Sequence, residues 1–464
     1  MKFTDRYAKL FQYLLPTPFT IALIITIVTF LVALFVTKEA SVDTGTYALE
    51  VLGYWEEGLW QKGLMVFAMQ MMLILVLGHV LALSPAADRL ISTLVNYANS
   101  TAKAAYLVTL LTVAVALFNW GLGLIFGAIF ARKVAEQAQA KKLSLNYPLI
   151  GAAGYSGLMV WHGGISGSSL AKVAEQNHLA EMMKGIIPKA EIASLPVQIP
   201  FSETVFSGMN IYSSMMILLL LPLFMFLVGR KAKGTSIPAL SQGSKREEKT
   251  ESFSGAEKLD HSKVFAWALG LIMIAYAIYK AFQQENAANF GFITPNYINF
   301  LLLGLGILLH GNFARFLKAV NEAIGGAAGI LIQFPLYFGI MGMMKSSGLV
   351  QEFSAFFVSI SNENTFPIFT MISAGIVNVF VPSGGGQWAV QGPIIVQATQ
   401  SLGISLPKSI MALAYGDQLT NMLQPFWALP LLGITKLQAK DILPYTLVLM
   451  LVGGLIYLSA LMLF

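Results

Sequence analysis

The sequence predicts an all-α polytopic membrane protein built as two inverted repeats, each a re-entrant hairpin followed by a broken transmembrane helix. Three observations lead there. The 464-residue chain is 56% hydrophobic and only 11% charged, with a mean hydropathy of +0.68, whereas a typical soluble domain is roughly 25% charged. Apolar windows of about 20 residues, the length that crosses a bilayer, recur along it. Two further apolar stretches carry helix-breaking motifs in their middles, and a second interrupted stretch follows each.

The uninterrupted windows are residues 17–36, 63–83, 209–228, 264–282, 297–309 and 442–464. The first is too long for the apolar core of a signal peptide and lacks a small-residue cleavage site, so no cleavable leader is expected. Cysteine is absent, which excludes disulfides, thiolate metal sites and cysteine nucleophiles. The net charge of +6 and pI of about 9.2 come from basic residues confined to short loops, so nucleic acid is not an expected partner. Lys2, Arg6 and Lys9 precede the first window, while the loop after it carries Glu39, Asp43, Glu50, Glu56 and Glu57 against Lys38 and Lys62. This bias places the N-terminus in the cytoplasm. Arg132, Lys133, Lys141 and Lys142 mark a second cytoplasmic loop, and residues 230–263, with eight basic residues in a Ser/Gly/Lys/Glu-rich run, read as a cytoplasmic linker. Residues 172–207, with Pro188, Pro196 and Pro200, fall outside and suit short interfacial helices.

Residues 104–130 are apolar throughout, yet Lys103 on one side and Arg132 and Lys133 on the other favour the same face. A segment that enters and leaves on one side is a re-entrant hairpin, expected over about 104–135 with its tip at Asn119-Trp-Gly-Leu-Gly123. A second hairpin is expected over about 353–406, dipping in from the opposite face. It is charge-free from residue 364 to 407 and interrupted at Val381-Pro-Ser-Gly-Gly-Gly-Gln-Trp388. Pro382 lacks an amide hydrogen and three consecutive glycines favour unwound backbone, so this motif is not expected to be ordinary helix. In hydrocarbon such backbone survives only inside protein or beside a watery cavity, so the motif marks a buried site.

A broken helix is expected after each hairpin. Residues 147–170 contain Gly154-Tyr-Ser-Gly157 and Trp161-His-Gly-Gly164, and residues 407–434 contain Tyr415-Gly-Asp-Gln418, Asn421 and Gln424-Pro425. The register repeats: Asn119 precedes Tyr155 by 36 positions and Asn378 precedes Tyr415 by 37. Inverted repeats with paired broken helices are the best sequence pointer to a secondary transporter with a midplane site. The organisation expected is a first repeat over 1–229, the linker, a connecting helix and loop over 264–296, and a second repeat over 297–464.

A small carboxylate suits such a site. Half-helix N-termini present free amides and about half a positive charge, so an anion is held without a membrane lysine. Gly121, Gly384, Gly385 and Gly386 let a ligand touch backbone, while Asn119, Asn378, Ser383 and Gln387 are candidate donors to its oxygens. Trp120, Trp388, Tyr155 and Tyr415 are candidates to pack a short acyl chain. The competing structural reading is that the glycines permit close helix packing and the aromatics fill the core or meet lipid. Asp417 is the one acidic residue between Ser409 and Thr435. A mid-bilayer carboxylate costs at least about 2.5–3.5 kcal/mol unless it is paired, hydrated or protonated. With Gly416, Gln418, Asn421 and His162 it forms the candidate ion-coupling group, either a proton carrier or the ligand of a sodium ion near Asn119, Gly384 and Asp417. The structural alternatives are a helix-capping carboxylate and a neutral hydrogen-bonded histidine. His79, His178, His261 and His310 receive no role. No cofactor other than an ion is expected.

The run Pro382-Ser-Gly-Gly-Gly-Gln-Trp-Ala-Val-Gln-Gly-Pro393, with Asn119-Trp-Gly-Leu-Gly123, Trp161-His-Gly-Gly-Ile-Ser-Gly167, Ala414-Tyr-Gly-Asp-Gln418 and Gln424-Pro-Phe-Trp-Ala-Leu-Pro430, resembles the short-chain fatty acid transporter family from residue 14 to the C-terminus. The resemblance implies uptake of acetoacetate- and butyrate-like anions across the bacterial inner membrane. It also implies a homodimer with a mobile transport domain, in the manner of the wider ion-transporter superfamily of elevator-type carriers. Some relatives carry His where this chain has Gln387.

Two other classes fit the sequence less well. Channels also use re-entrant loops, but usually in symmetric oligomers with pore-lining rings. No His-Glu-x-x-His motif, Gly-x-Ser-x-Gly elbow or P-loop is present, so neither an intramembrane enzyme nor a nucleotide-driven pump is expected. Among transporters, a di- or tricarboxylate carrier is the runner-up, and the lack of an evident membrane arginine favours a single negative charge.

Overall fold

Long apolar runs in a lipid environment leave the backbone no partner but itself, and a helix satisfies it locally. The computed structural model describes residues 16–184, 187–238, 240, 255–283 and 294–464. Among the described residues the regular structure is helical, apart from one isolated bridge between Lys184 and Ile187. Lys2, Arg6 and Lys9, residues 241–254 of the linker and residues 284–293 of the connecting loop lie outside the described residues.

The chain opens with α1 (Pro18–Val36), α2 (Thr44–Leu59), α3 (Lys62–Ala82) and α4 (Pro85–Val95). Thr17, Asp43 and Gln61 start the first three by accepting first-turn amide protons on their side-chain oxygens. Next come α5 (Thr101–Phe118) and α6 (Trp120–Ala140), joined by Asn119 alone. Then α7 (Tyr147–Tyr155) passes into a 3₁₀ turn (Ser156–Met159) and ends in an irregular segment. Three short helices, α8 (Ser168–Val173), α9 (His178–Met183) and α10 (Lys189–Ile192), occupy the stretch expected to hold interfacial helices. They lead to α11 (Gly208–Lys231).

Beyond the linker lie α12 (Glu257–Asp260), α13 (Lys263–Gln283), α14 (Pro295–His310) and α15 (Phe313–Ala323). A 3₁₀ turn (Ile324–Ala327), α16 (Ala328–Ser346) and α17 (Leu349–Ser359) follow. The chain closes with α18 (Phe366–Phe380), α19 (Gly384–Leu402), α20 (Leu406–Thr420), a 3₁₀ turn (Asn421–Leu423), α21 (Pro425–Thr435) and α22 (Ala439–Leu463).

Seven segments among the described residues are long and apolar enough to cross a bilayer: Pro18–Val36, Lys62–Ala82, Thr101–Phe118, Gly208–Lys231, Lys263–Gln283, Phe313–Ser346 and Ala439–Leu463. Phe35, Val264, Phe282 and Leu455 are largely exposed on such segments, as lipid-facing side chains should be. All six expected windows fall on helices. The Phe313–Ser346 segment was not expected, because Arg315, Lys318 and Glu322 and the pair Gly325-Gly326 mask its apolar run.

The helices pack as two groups. In one, α2 and α1 lie on α16, α14 lies on α3, and α13 lies on α14. In the other, α5 packs on α6, α7 and α11, while α18 packs on α20 and α22 packs on α11, α7 and α20. The groups meet where α3 touches α6 and where α21 touches α16. Glycines set the closest crossings. A Cβ on Gly342 would sit 2.3 Å from the Tyr54 carbonyl oxygen, and one on Gly127 would sit 2.1 Å from that of Gly154.

Four sequence expectations need correction. The stretch 353–406 is not one helical pair: residues 353–359 belong to the separate α17, and α18 and α19 follow. Gly384, Gly385 and Gly386 are the first turn of α19, not unwound chain; a capping Ser383 outweighs the low helix propensity of glycine, and Val381, Pro382 and Ser383 alone stand outside helix. Tyr415 to Gln418 are helical, and the second break lies at Asn421 to Gln424, ahead of Pro425. The acidic loop after α1 is mostly the helix α2, on which Glu50, Glu56 and Glu57 are exposed.

Candidate functional site

Each expected hairpin tip is a helix N-terminus capped by its own side chain. Asn119 Oδ1 accepts the Leu122 amide at 3.0 Å, starting α6. Ser383 Oγ accepts the Gly386 amide at 3.2 Å, starting α19. First-turn amides have no intrahelical acceptor and carry the positive end of the helix dipole, so both tips can hold an anion. Gly384 is the point of closest approach. A Cβ there would lie 2.7 Å from His162 Cε1 and 2.8 Å from the Trp161 ring. Gly385 differs, being exposed, and its Cβ would meet only Ser168 Cβ at 3.8 Å. At Gly121 a Cβ would meet nothing nearer than 3.6 Å.

Both tips converge on the first break. The Trp120 ring lies 5.9 Å from that of Trp161, edge to face, and the Trp120 amide donates to Ser166 Oγ at 3.0 Å. Trp161 stacks on His162 with centroids 4.5 Å apart, and Trp427 closes the aromatic cluster 5.2 Å from Trp120. Trp161, His162 and Trp427 are buried, whereas Trp120 is half-buried. No lysine or arginine contributes to these contacts.

His162 is fully buried and joins the two halves of the chain. Its Nδ1 hydrogen-bonds Asp417 Oδ2 on α20. Its Nε2 accepts the Ser169 amide proton at 3.1 Å and lies 2.6 Å from Ser169 Oγ. Since the amide can only donate, Nε2 carries no proton, which assigns a neutral imidazole with its hydrogen on Nδ1, directed at the carboxylate. Asp417 Oδ1 is buried without a hydrogen-bond partner. Gln418 Oε1 accepts the unwound amides of His162 and Gly163 at 3.0 and 2.9 Å. Asn210 Nδ2 donates to the Gly163 carbonyl at 2.8 Å.

The second break is satisfied from the other side. Tyr155 OH, at the end of α7, donates to the carbonyls of Asn421 and Gln424 at 2.8 and 3.1 Å. Asn378 Nδ2 reaches the Asp417 carbonyl at 2.7 Å, Asn421 Oδ1 at 2.8 Å and Thr420 Oγ1 at 3.0 Å, and Gln424 Nε2 donates to the Asn378 carbonyl. Asn378 Nδ2 is therefore engaged within the break. Three side-chain oxygens, Asp417 Oδ1, Asn378 Oδ1 and Gln424 Oε1, are buried without a donor. A hard cation takes such oxygen ligands. Among the described residues no group of three or more His, Cys, Asp or Glu could hold a metal ion.

The remaining expected residues have protein partners. Tyr415 is fully buried, lies 2.9 Å from Ser213 Oγ and stacks on Tyr457 with centroids 4.4 Å apart. A Cβ on Gly416 would sit 2.0 Å from the Met371 carbonyl oxygen, so this glycine permits the α18–α20 crossing. Gln387 is buried, donates from Nε2 to the Ala374 carbonyl and Gln391 Oε1 at 2.8 and 2.7 Å, and leaves Oε1 unpartnered. Trp388 Nε1 donates to His178 Nε2 at 3.0 Å. Ser169 and Asn210 were missed by sequence reasoning. A serine beside a glycine-rich break and one amide at the start of an apolar span were the available signals.

The short-chain fatty acid transporter family matches this chain over residues 1–464. The chain belongs to that family. It is 35% identical over 454 residues to a protein of Escherichia coli K12, covering 97% of this chain and 96% of the relative, which is provisionally named a short-chain fatty acid transporter. A relative in Haemophilus influenzae Rd with the same provisional name is 35% identical over 442 residues, covering 93% and 92%. The family is one of membrane transporters, not enzymes. Among solved structures, the YdaH transporter of Alcanivorax borkumensis aligns with 96% of this chain and 98% of its own at 13% identity and a TM-score of 0.43. The MtrF antimetabolite efflux pump of Neisseria gonorrhoeae aligns with 99% and 96% at the same identity and score. That distance transfers neither substrate nor mechanism.

Proposed function

We propose that this member of the short-chain fatty acid transporter family is a secondary active transporter that imports acetoacetate- and butyrate-like monocarboxylates across the bacterial inner membrane. In this reading the N-terminus is cytoplasmic, the two halves are inverted repeats, and α5–α6 and α18–α19 are re-entrant hairpins. One observation carries it: two capped helix N-termini converge on the Trp161–His162 break without a lysine or arginine. Two half-charges from aligned peptide dipoles suit one carboxylate, and the exposed Gly385 with the Trp120 face offers backbone and apolar contact to a short acyl anion. Alternating access follows an elevator motion of the tip-bearing helix group against the other, in a homodimer.

The driving ion binds at Asp417. The His162–Asp417 pair favours a proton, because both partners sit in one buried contact that protonation would rearrange. The unpartnered oxygens of Asp417, Asn378 and Gln424 favour sodium. Proteoliposomes tested with a panel of radiolabelled mono-, di- and tricarboxylates under separate proton and sodium gradients decide both questions. Gradient-driven accumulation of butyrate or acetoacetate is expected under one of the two. Absence of uptake under either would reject the assignment, and preference for a dicarboxylate would move the substrate class.

A further inference from the structure

A cavity of about 420 Å³ separates the α19 tip from the neighbouring helices. One wall is α2, α3 and α16, with Gln61 between α2 and α3; the other is α18 and α19, where Gly386 and Gln387 line it. The partly exposed Tyr54 and Leu64 give the cavity an apolar side. At the end of α16, exposed Lys345 lines the same cavity, as does exposed Glu57 on α2. Lys345 forms no ion pair with Glu57 or with any other described acid. The cavity thus combines an ammonium without an ion-pair partner, an apolar side and the first turn of α19 at Gly386 and Gln387, whose amide protons Ser383 accepts.

We propose that this cavity is the vestibule through which a carboxylate reaches the α19 tip, and that Lys345 is the residue that recruits and selects the anion there. The inference rests on the carboxylate reading above and adds a residue to it. An anion entering from water meets Lys345 first, where a strongly hydrated point charge attracts without binding tightly. It then passes Gly386 toward the α19 tip, while its short chain lies against the partly exposed Tyr54 and Leu64. Lys345 is a recruiting residue, not part of the final site, so its loss weakens capture and leaves turnover intact. Glu57 balances the formal charge of the cavity, which confines the attraction to the region of Lys345.

Butyrate uptake into proteoliposomes tests this. Lys345→Gln should raise KM by about three- to tenfold at low ionic strength, with Vmax unchanged. The difference from wild type should fade as salt is raised, and Lys345→Arg should behave as wild type. Because the natural chain has no cysteine, Lys345→Cys can be modified selectively, with reagents applied from each side of the membrane in turn. A reagent adding an aminoethyl group should restore the low KM, a sulfonatoethyl reagent should not, and butyrate should slow both modifications. A purely structural lysine would not distinguish the two reagents. Equal KM for wild type and Lys345→Gln at all salt concentrations, or modification indifferent to butyrate, would overturn the proposal and leave the carboxylate assignment standing. Absence of butyrate uptake by the wild-type protein would overturn both.

Discussion

Gly384 and Gly385 are adjacent, yet the surroundings of their absent side chains separate packing from ligand contact. A methyl at Gly384 drives into His162 and the Trp161 ring, and overpacking of this kind typically costs about 1–3 kcal/mol. Gly384→Ala is therefore expected to lower both thermal stability and uptake. Gly385 has room for a methyl within the protein, so Gly385→Ala is expected to keep the wild-type melting temperature and to weaken substrate affinity, read as a raised KM. Unchanged KM would remove the α19 tip from the substrate path. Asp417→Asn preserves an acceptor for the His162 Nδ1 hydrogen but removes the titratable charge. It is expected to abolish dependence on the driving ion and to reduce gradient-driven uptake at least about tenfold, roughly 1.4 kcal/mol in the barrier. Ion dependence that survives would make Asp417 a packing residue. The sequence pointed to Asp417 because a lone acid in an apolar run is costly. It could not supply the partner, since His162 lies 255 positions away.

At the scale of elements, most spans were legible because about 20 apolar residues leave few alternatives to a membrane helix. Breaks were legible in place but not in form. Pro382 and the glycines marked the second tip, yet the backbone there is helical from Gly384 onward because Ser383 caps it. Phe313–Ser346 escaped notice because an amphipathic first part, α15, conceals the apolar second part. The unwound chain after Met159 persists because another element satisfies it. Gln418 of α20 holds two of its amides, and an unpaired buried donor costs about 1–3 kcal/mol. Gln418→Ala should therefore lower stability by about 2–6 kcal/mol, while Gln418→Asn, which retains a neutral amide oxygen, should lose less. Thermal unfolding in detergent measures both. Equal losses for the two variants would show that the amides find other acceptors.

On the scale of the whole molecule, the two breaks satisfy each other. Gln418 serves the first break from the second half of the chain, and Tyr155 serves the second from the first half. The tip-bearing helices are thereby tied into one unit, which is what a body moving as a whole requires. That unit meets the other helix group where α3 touches α6. A Cβ on Gly78 would lie 3.6 Å from that of Ile125, within the separation that a disulfide spans. The double variant Gly78→Cys, Ile125→Cys, in a chain otherwise free of cysteine, is expected to lose uptake on oxidation and regain it on reduction. Full activity in the oxidised form would refute movement of α6 past α3.

By itself the sequence determined the class of the protein. Composition and apolar run length left only a membrane helix bundle, and proline and glycine placed its interruptions, because these signals act within a few residues. The tertiary structure alone decided which interruption answers which. It paired His162 with Asp417, gave Gln418 and Tyr155 to opposite breaks, turned Asn378 inward and opened a cavity from Lys345 to Gln387. Those choices depend on side chains distant in sequence meeting where water cannot satisfy them, and no local pattern records such a meeting.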